Sequence, residues 1–172
     1  STPPPSSRIK AMTFLLVARR AETRMLCVAI FSFSPAVAAR CAFARAAVGA
    51  VASQNITDPT LGPKTLNHMA QGLSAPEAVS AAVADAALVQ YRQLLAVDAM
   101  GRTSIHSGSN VFGNCNEAQG DDVASGENLL DNDGVSKAIV AGFETAQGHL
   151  GDRLIAAMRA GLAAGGESGP VH

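Results

Sequence analysis

Thr13–Ser32 reads TFLLVARRAETRMLCVAIFS. Two apolar, β-rich runs, Thr13–Ala18 and Met25–Ser32, flank the six residues Arg19–Arg24. Runs of this length and composition read as buried strands, and six polar-leaning residues between them read as a hairpin connection. The fold therefore opens on antiparallel pairing. Moving outward, Ala38–Phe43 and Val48–Gln54 read as further strands, with Gly49 allowing close packing, until Asp58-Pro59 and Gly62-Pro63 break the strand pattern.

A helix is predicted over Leu61–Gln71, closed by Gly72. Ser74-Ala75-Pro76-Glu77 is a capping box with proline in the first turn, which predicts a helix over Ala75–Ala86. Arg92–Val97 reads as a strand, Asp98–Gly101 as a tight turn, and Arg102–Ser107 as the antiparallel return. Residues 108–122 are polar and Asn/Gly-rich and read as a loop, with Val123–Leu130 a strand after it. Val135, Ile139 and Phe143 share one helical face, as do Leu150, Leu154, Met158 and Leu162, and Gly165-Gly166 ends the second of these helices. Strands, two helices, strands, two helices: the order predicts an α+β fold with mainly antiparallel sheets rather than a βαβ-type parallel one. No internal repeat and no phosphate-binding glycine loop is present.

The chain has 172 residues, 48% of them hydrophobic, and a net charge of −1, which suits one domain with one core. Residues 1–11 read as a flexible basic tail, opening STPPPSSRIK, and 12–172 as the domain. Arg8, Lys10, Arg19, Arg20, Arg24, Arg40 and Arg45 face a single acid, Glu22, in the first 45 residues. That basic start suits an acidic partner, a membrane surface, nucleic acid or simply a solvated surface, but no nucleic-acid motif accompanies it. Cys27, Cys41 and Cys115 form no Cys-x-x-Cys pair, so neither a zinc site nor a disulfide framework is expected. The expected compartment is intracellular and reducing: cytoplasmic, or the mitochondrial matrix if the absent initiator methionine reflects removal of a transit peptide. Ala11–Ala18 and Met25–Phe31 fall far short of the ~20 apolar residues that span a bilayer.

Several polar residues are candidates for chemistry. His106 lies on the Arg102–Ser107 strand, on the face opposite Ile105, and is a candidate general base or a surface histidine. His68 and His149 sit within predicted helices with no ligand partner at i+4, and His172 is terminal, so no metal is expected; nor is a cofactor. Asn110, Asn114, Cys115 and Asn116 form a polar loop near Ser107 that either lines a pocket or satisfies its own turns. Asp121, Asp122, Asp131 and Asp133 lack calcium-loop spacing; solvated charge and helix capping account for them.

From Met12 to His172 the chain resembles the Domain of Unknown Function 1028 family, which is Ntn-hydrolase-like. The resemblance is carried by Met12-Thr13-Phe14, Ala18-Arg19, the run ARAAVGAVASQ at 44–54, Asp58-Pro59, Gly62-Pro63 and QGLS at 71–74. It continues in Arg92-Gln93-Leu94, Val97-Asp98, Gly101-Arg102, Ser107-Gly108, Cys115, Asn128-Leu129 and AAGGE at 163–167. It implies an αββα sandwich and no established reaction. The wider superfamily implies a mechanism in which an N-terminal Thr, Ser or Cys attacks an amide carbon and its own α-amine serves as base. On this chain the nucleophile would be Thr13, with Asn128 as an oxyanion donor.

The sequence departs from that pattern in four places. Twelve residues precede Thr13, so its nitrogen is in a peptide bond unless the chain is cut after Met12. The first hairpin of the family carries an Asp-Pro-Glu-Thr-Gly-like turn, where this chain has Arg20-Ala21-Glu22-Thr23-Arg24. Ahead of Asn128 a glycine–asparagine motif is altered to Ser125-Gly126-Glu127-Asn128. Relatives also continue beyond the position of His172 with further strands. Two functions are therefore expected: a non-catalytic accessory subunit docked in a larger protein assembly, or an Ntn-type amide hydrolase using Thr13 after processing or as the first chain of a processed pair.

Overall fold

A computed structural model describes residues 13–32, 34–111, 114–130 and 134–166. Eight strands form two four-stranded sheets. The first contains β1 (Thr13–Arg20), β2 (Met25–Ser32), β7 (Asn114–Gly120) and β8 (Val123–Leu130) in the order β2-β1-β8-β7. The second contains β3 (Ala42–Arg45), β4 (Gly49–Asn55), β5 (Arg92–Asp98) and β6 (Thr103–Ser107) in sequence order. Every strand pair is antiparallel, so the mixed class and the antiparallel sheets follow the expectation from element order.

Strand periodicity assigns the cores. On β1, Phe14, Leu16 and Ala18 pack with Val135, Ile139, Phe143, Leu150 and Leu154 of two helices, α4 (Val135–Thr145) and α5 (Leu150–Gly161). Leu15 and Val17, on the other face of β1, pack with Ala50, Ala52, Leu95 and Val97 of the second sheet. Val51, Leu94 and Ala96 turn the opposite way, onto α2 (Leu61–Ala70) and α3 (Ala75–Val83). Successive side chains alternate between faces, and both faces of β1 and β5 are covered, which is why their middles, Phe14–Ala18 and Leu94–Val97, are uninterruptedly apolar. The helix pairs thus lie outside and the two sheets face each other.

Capping sets the helix starts. Ser74 Oγ accepts from the Glu77 N–H while the Glu77 carboxylate accepts from the Ser74 N–H, closing the reciprocal box. His149 does not lie inside a helix, as expected from sequence, but at the N-cap of α5, where Nδ1 accepts from the Gly151 N–H at 3.1 Å.

Four other expectations are corrected. Ala38–Phe43 is not one strand: Ala38–Cys41 forms a short helix, α1, and only then does β3 begin, as the good helix propensity of the alanine-rich run allows. The helix predicted to Ala86 stops at Val83, because Lys64 of α2 donates to the Ala82 carbonyl and Ala86 N–H turns back to Val83. Arg19 and Arg20 belong to β1 rather than to the hairpin connection. Residues 108–122 are not all loop, since 114–120 form β7. Its polar composition fits an edge strand, where one side of the ladder meets solvent.

Among the described residues no helix is long and apolar enough to cross a membrane.

Candidate functional site

Between the sheets, the facing layer changes character at one end. Ala50 and Ala52 are followed two residues on by Gln54, Val97 and Leu95 are preceded by Gln93, Leu15 by Thr13, and Ala124 leads through Gly126 to Asn128. By the two-residue period these polar groups continue the apolar inter-sheet faces. Register then brings them together: Thr13 lies opposite Ser32 on β2 and opposite Asn128 on β8, while Gln54 lies opposite Gln93.

The result is a cavity of about 190 Å³ lined by Thr13, Ser32, Asn128, Gln54, Arg40, Cys41 and Thr57, with Ser34, Val37, Asn55 and Ile56 completing its wall. Thr13 Oγ1 and Ser32 Oγ are 2.7 Å apart, and Asn128 is buried. The Arg40 guanidinium is held at the rim by the Pro35 carbonyl at 2.8 Å and Ser34 Oγ at 2.5 Å. Cys41 Sγ lies 3.6 Å from Thr57 Oγ1.

Behind the cavity runs a chain of hydrogen bonds. Ser107 Oγ donates to the Glu117 carboxylate at 2.6 Å. Gln93 Nε2 donates to Ser107 Oγ at 3.0 Å and to Cys115 Sγ at 3.0 Å. Gln93 Oε1 in turn accepts from Gln54 Nε2. Gly126 makes room for this chain, because a Cβ there would approach Gln93 Oε1 to 2.8 Å. Burial pushes the Cys115 thiol above its ordinary value, against a smaller opposing pull from the Ser107 hydrogen bond.

On the opposite face of β8, Glu127 is fully buried and meets the start of α4. Its carboxylate accepts from the Ser136 N–H at 2.7 Å, Ser136 Oγ at 3.1 Å and Asn116 Nδ2 at 3.0 Å. A carboxylate at a helix N-terminus is favoured by the unpaired N–H groups there. Glu127, next to Asn128, therefore anchors the start of α4.

Of the sequence candidates, Thr13 and Asn128 meet in the cavity and His106 does not. His106 lies opposite Leu94, on the helix-covered face of the second sheet, with Nε2 3.5 Å from the Val89 carbonyl oxygen. Asn110 is tied through its N–H to the Gln90 carbonyl at 2.7 Å. Cys115 and Asn116 are strand residues serving the two buried networks. Asp122 pairs with Arg19 at 2.7 Å rather than standing free in solvent, whereas Asp131, Asp133 and His172 lie outside the described residues. Among the described residues no cluster of three His, Cys, Asp or Glu side chains could hold a metal. The sequence reading missed Ser32, Gln54, Gln93 and Arg40. Three of these could have been found by extending each strand's inward register to its polar end.

A family of unknown function, DUF1028, matches residues 13–172, and the chain belongs to it. The chain is also similar to the crystal structure of a protein from Silicibacter pomeroyi described under the same family. The TM-score is 0.85 at 26% identity, over 90% of this chain and 69% of that one. No curated protein matches the sequence.

Proposed function

We propose that this member of DUF1028 is an Ntn-hydrolase-like sandwich whose latent activity is amide hydrolysis by Thr13. The nucleophile becomes competent when the Met12–Thr13 peptide bond is cut. The observation that carries the reading is the cavity at the head of β1, where Thr13 meets Ser32 and Asn128 at the end of two facing sheets.

The chemistry follows from the groups present. Freed of Met12, the Thr13 nitrogen is an α-amine with an ordinary pKa of about 8, able to take the hydroxyl proton near neutral pH. Thr13 Oγ1 attacks the amide carbonyl carbon, and the Asn128 amide, directly across the ladder, donates to the developing oxyanion. The ammonium then passes its proton to the leaving amine as the C–N bond breaks. Water, deprotonated by the same amine, hydrolyses the ester on Thr13 and restores the site. With Met12 attached, that nitrogen is an amide with no basic lone pair, and the hydroxyl keeps its proton.

Two chains test this on a panel of small amides, one beginning at Ser1 and one at Thr13. The chain beginning at Thr13 should turn over, lose turnover on Thr13→Val, and lose at least about a hundredfold in rate on Asn128→Ala, the scale of losing an oxyanion donor. An inert Thr13-started chain, or an equally active Ser1-started one, refutes the reading.

A second reading, a non-catalytic accessory subunit, is favoured by one observation. β2 is an eight-residue edge strand, MLCVAIFS, with neither charge nor proline and with Met25 exposed, the kind of edge that pairs with another chain. Purification of the native protein as an uncut chain within a larger assembly would favour it over the hydrolase.

A further inference from the structure

The polarity of the hydrogen-bond chain behind the cavity is determined at its far end. An ionised Glu117 carboxylate only accepts, so the Ser107 proton goes to it. Ser107 Oγ must then accept from Gln93, which places the Gln93 amide nitrogen toward Ser107 and its oxygen toward Gln54. Gln54 consequently presents its nitrogen to Gln93, and its Oε1 is left over. Gln54 is 2% exposed and lines the cavity, and no described group donates to that oxygen. A buried acceptor without a donor is costly, so the oxygen calls for an N–H or O–H from whatever fills the cavity.

The charge in the cavity is equally one-sided. Arg40 is its one charged side chain among the described lining residues. Pro35 and Ser34 hold the guanidinium without neutralising it, and no described carboxylate lies within ion-pair distance. Arginine has more N–H donors than these two acceptors use, in a fork that fits a carboxylate. The volume of about 190 Å³ is somewhat larger than the ~150 Å³ that holds a benzene ring, and suits a ligand of a few heavy atoms.

We propose that the cavity selects a small secondary amide bearing a free carboxylate, of the N-acyl amino acid class, with Gln54 Oε1 accepting the amide N–H and Arg40 taking the carboxylate. This substrate class rests on the hydrolase reading for what is cleaved, but the recognition itself is a binding property and is measured without turnover.

Three probes separate the two contacts: N-acetylglycine, its methyl ester, which lacks the carboxylate, and N-acetylsarcosine, which lacks the N–H. Binding to the full chain is followed by chemical-shift titration. N-acetylglycine should bind saturably, and each of the other two at least about tenfold more weakly, the effect of removing one buried polar contact. Arg40→Met should bind the acid and the ester alike, and Gln54→Met should bind N-acetylglycine and N-acetylsarcosine alike. Should Gln54→Met fail to fold, the N-acetylsarcosine comparison on the unaltered chain still decides the N–H contact. Equal binding of all three probes, no saturable binding, or a preference for the acid that survives Arg40→Met overturns the proposal. Selective binding by a Thr13-started chain that releases no glycine would instead sustain the recognition and refute the hydrolase.

Discussion

Arg24 closes the β1–β2 turn with φ at +57°, in the left-handed region where a side chain costs roughly 1–2 kcal/mol. Arg24→Gly should therefore raise stability by about 1 kcal/mol, or roughly 2–4 °C in Tm for a chain of this size, measured by thermal unfolding; a lowered Tm would contradict the strain. Asp58 gives a pH-dependent counterpart. Its carboxylate accepts from the Thr60 hydroxyl at 2.6 Å and the Thr60 N–H at 2.9 Å, which hold it below its ordinary value of 3.8. Because the folded state favours the ionised form, the contribution is complete above that value and is lost as pH falls through the lowered one. The urea-midpoint difference between wild type and Asp58→Ala should be present at pH 6 and shrink below about pH 3.8. A difference that grows on acidification would contradict the assignment.

At the scale of elements, Gly62 shows why α2 sits where it does. A Cβ at Gly62 would come within 2.1 Å of the Phe43 ring on β3, so helix and strand approach through the glycine. Gly62→Ala should cost about 1–3 kcal/mol by overpacking, read in urea denaturation, although the same change raises helix propensity. A neutral or stabilising outcome would mean that Phe43 moves aside at no cost. The elements most legible in the sequence are those whose residues are buried on both faces, such as β1 and β8, or whose caps are local, such as α3. β7 was hidden because its polar residues are those of an edge, and its partner β8 supplies what its own propensity does not. α1 was hidden because four residues of alanine-rich chain give no periodicity to read.

Across the whole molecule, the candidate site is the polar end of an otherwise apolar interface between two sheets. Thr13 and Asn128 were reachable from the sequence through the family resemblance, and the structure brings them across one ladder. Gln54, Gln93 and Ser32 sit in the inward register of their strands, but their meaning as a site depends on which sheet faces which. Only the facing of the two sheets turns Gln54 and Ser32 into cavity wall, with Gln93 hydrogen-bonded behind Gln54. His106 shows the converse: its place on a strand was readable, but its face looks onto α2 and α3 rather than into the cavity.

Whether an unacylated nitrogen on Thr13 awakens its hydroxyl is read most directly by covalent capture. A chain beginning at Thr13 and one beginning at Ser1 are each exposed to a β-lactone acylating probe, and the adduct is located by peptide mass mapping. A hydroxylamine-labile ester on Thr13 in the first chain alone is the predicted result. The same ester in both chains, or in neither, would contradict it.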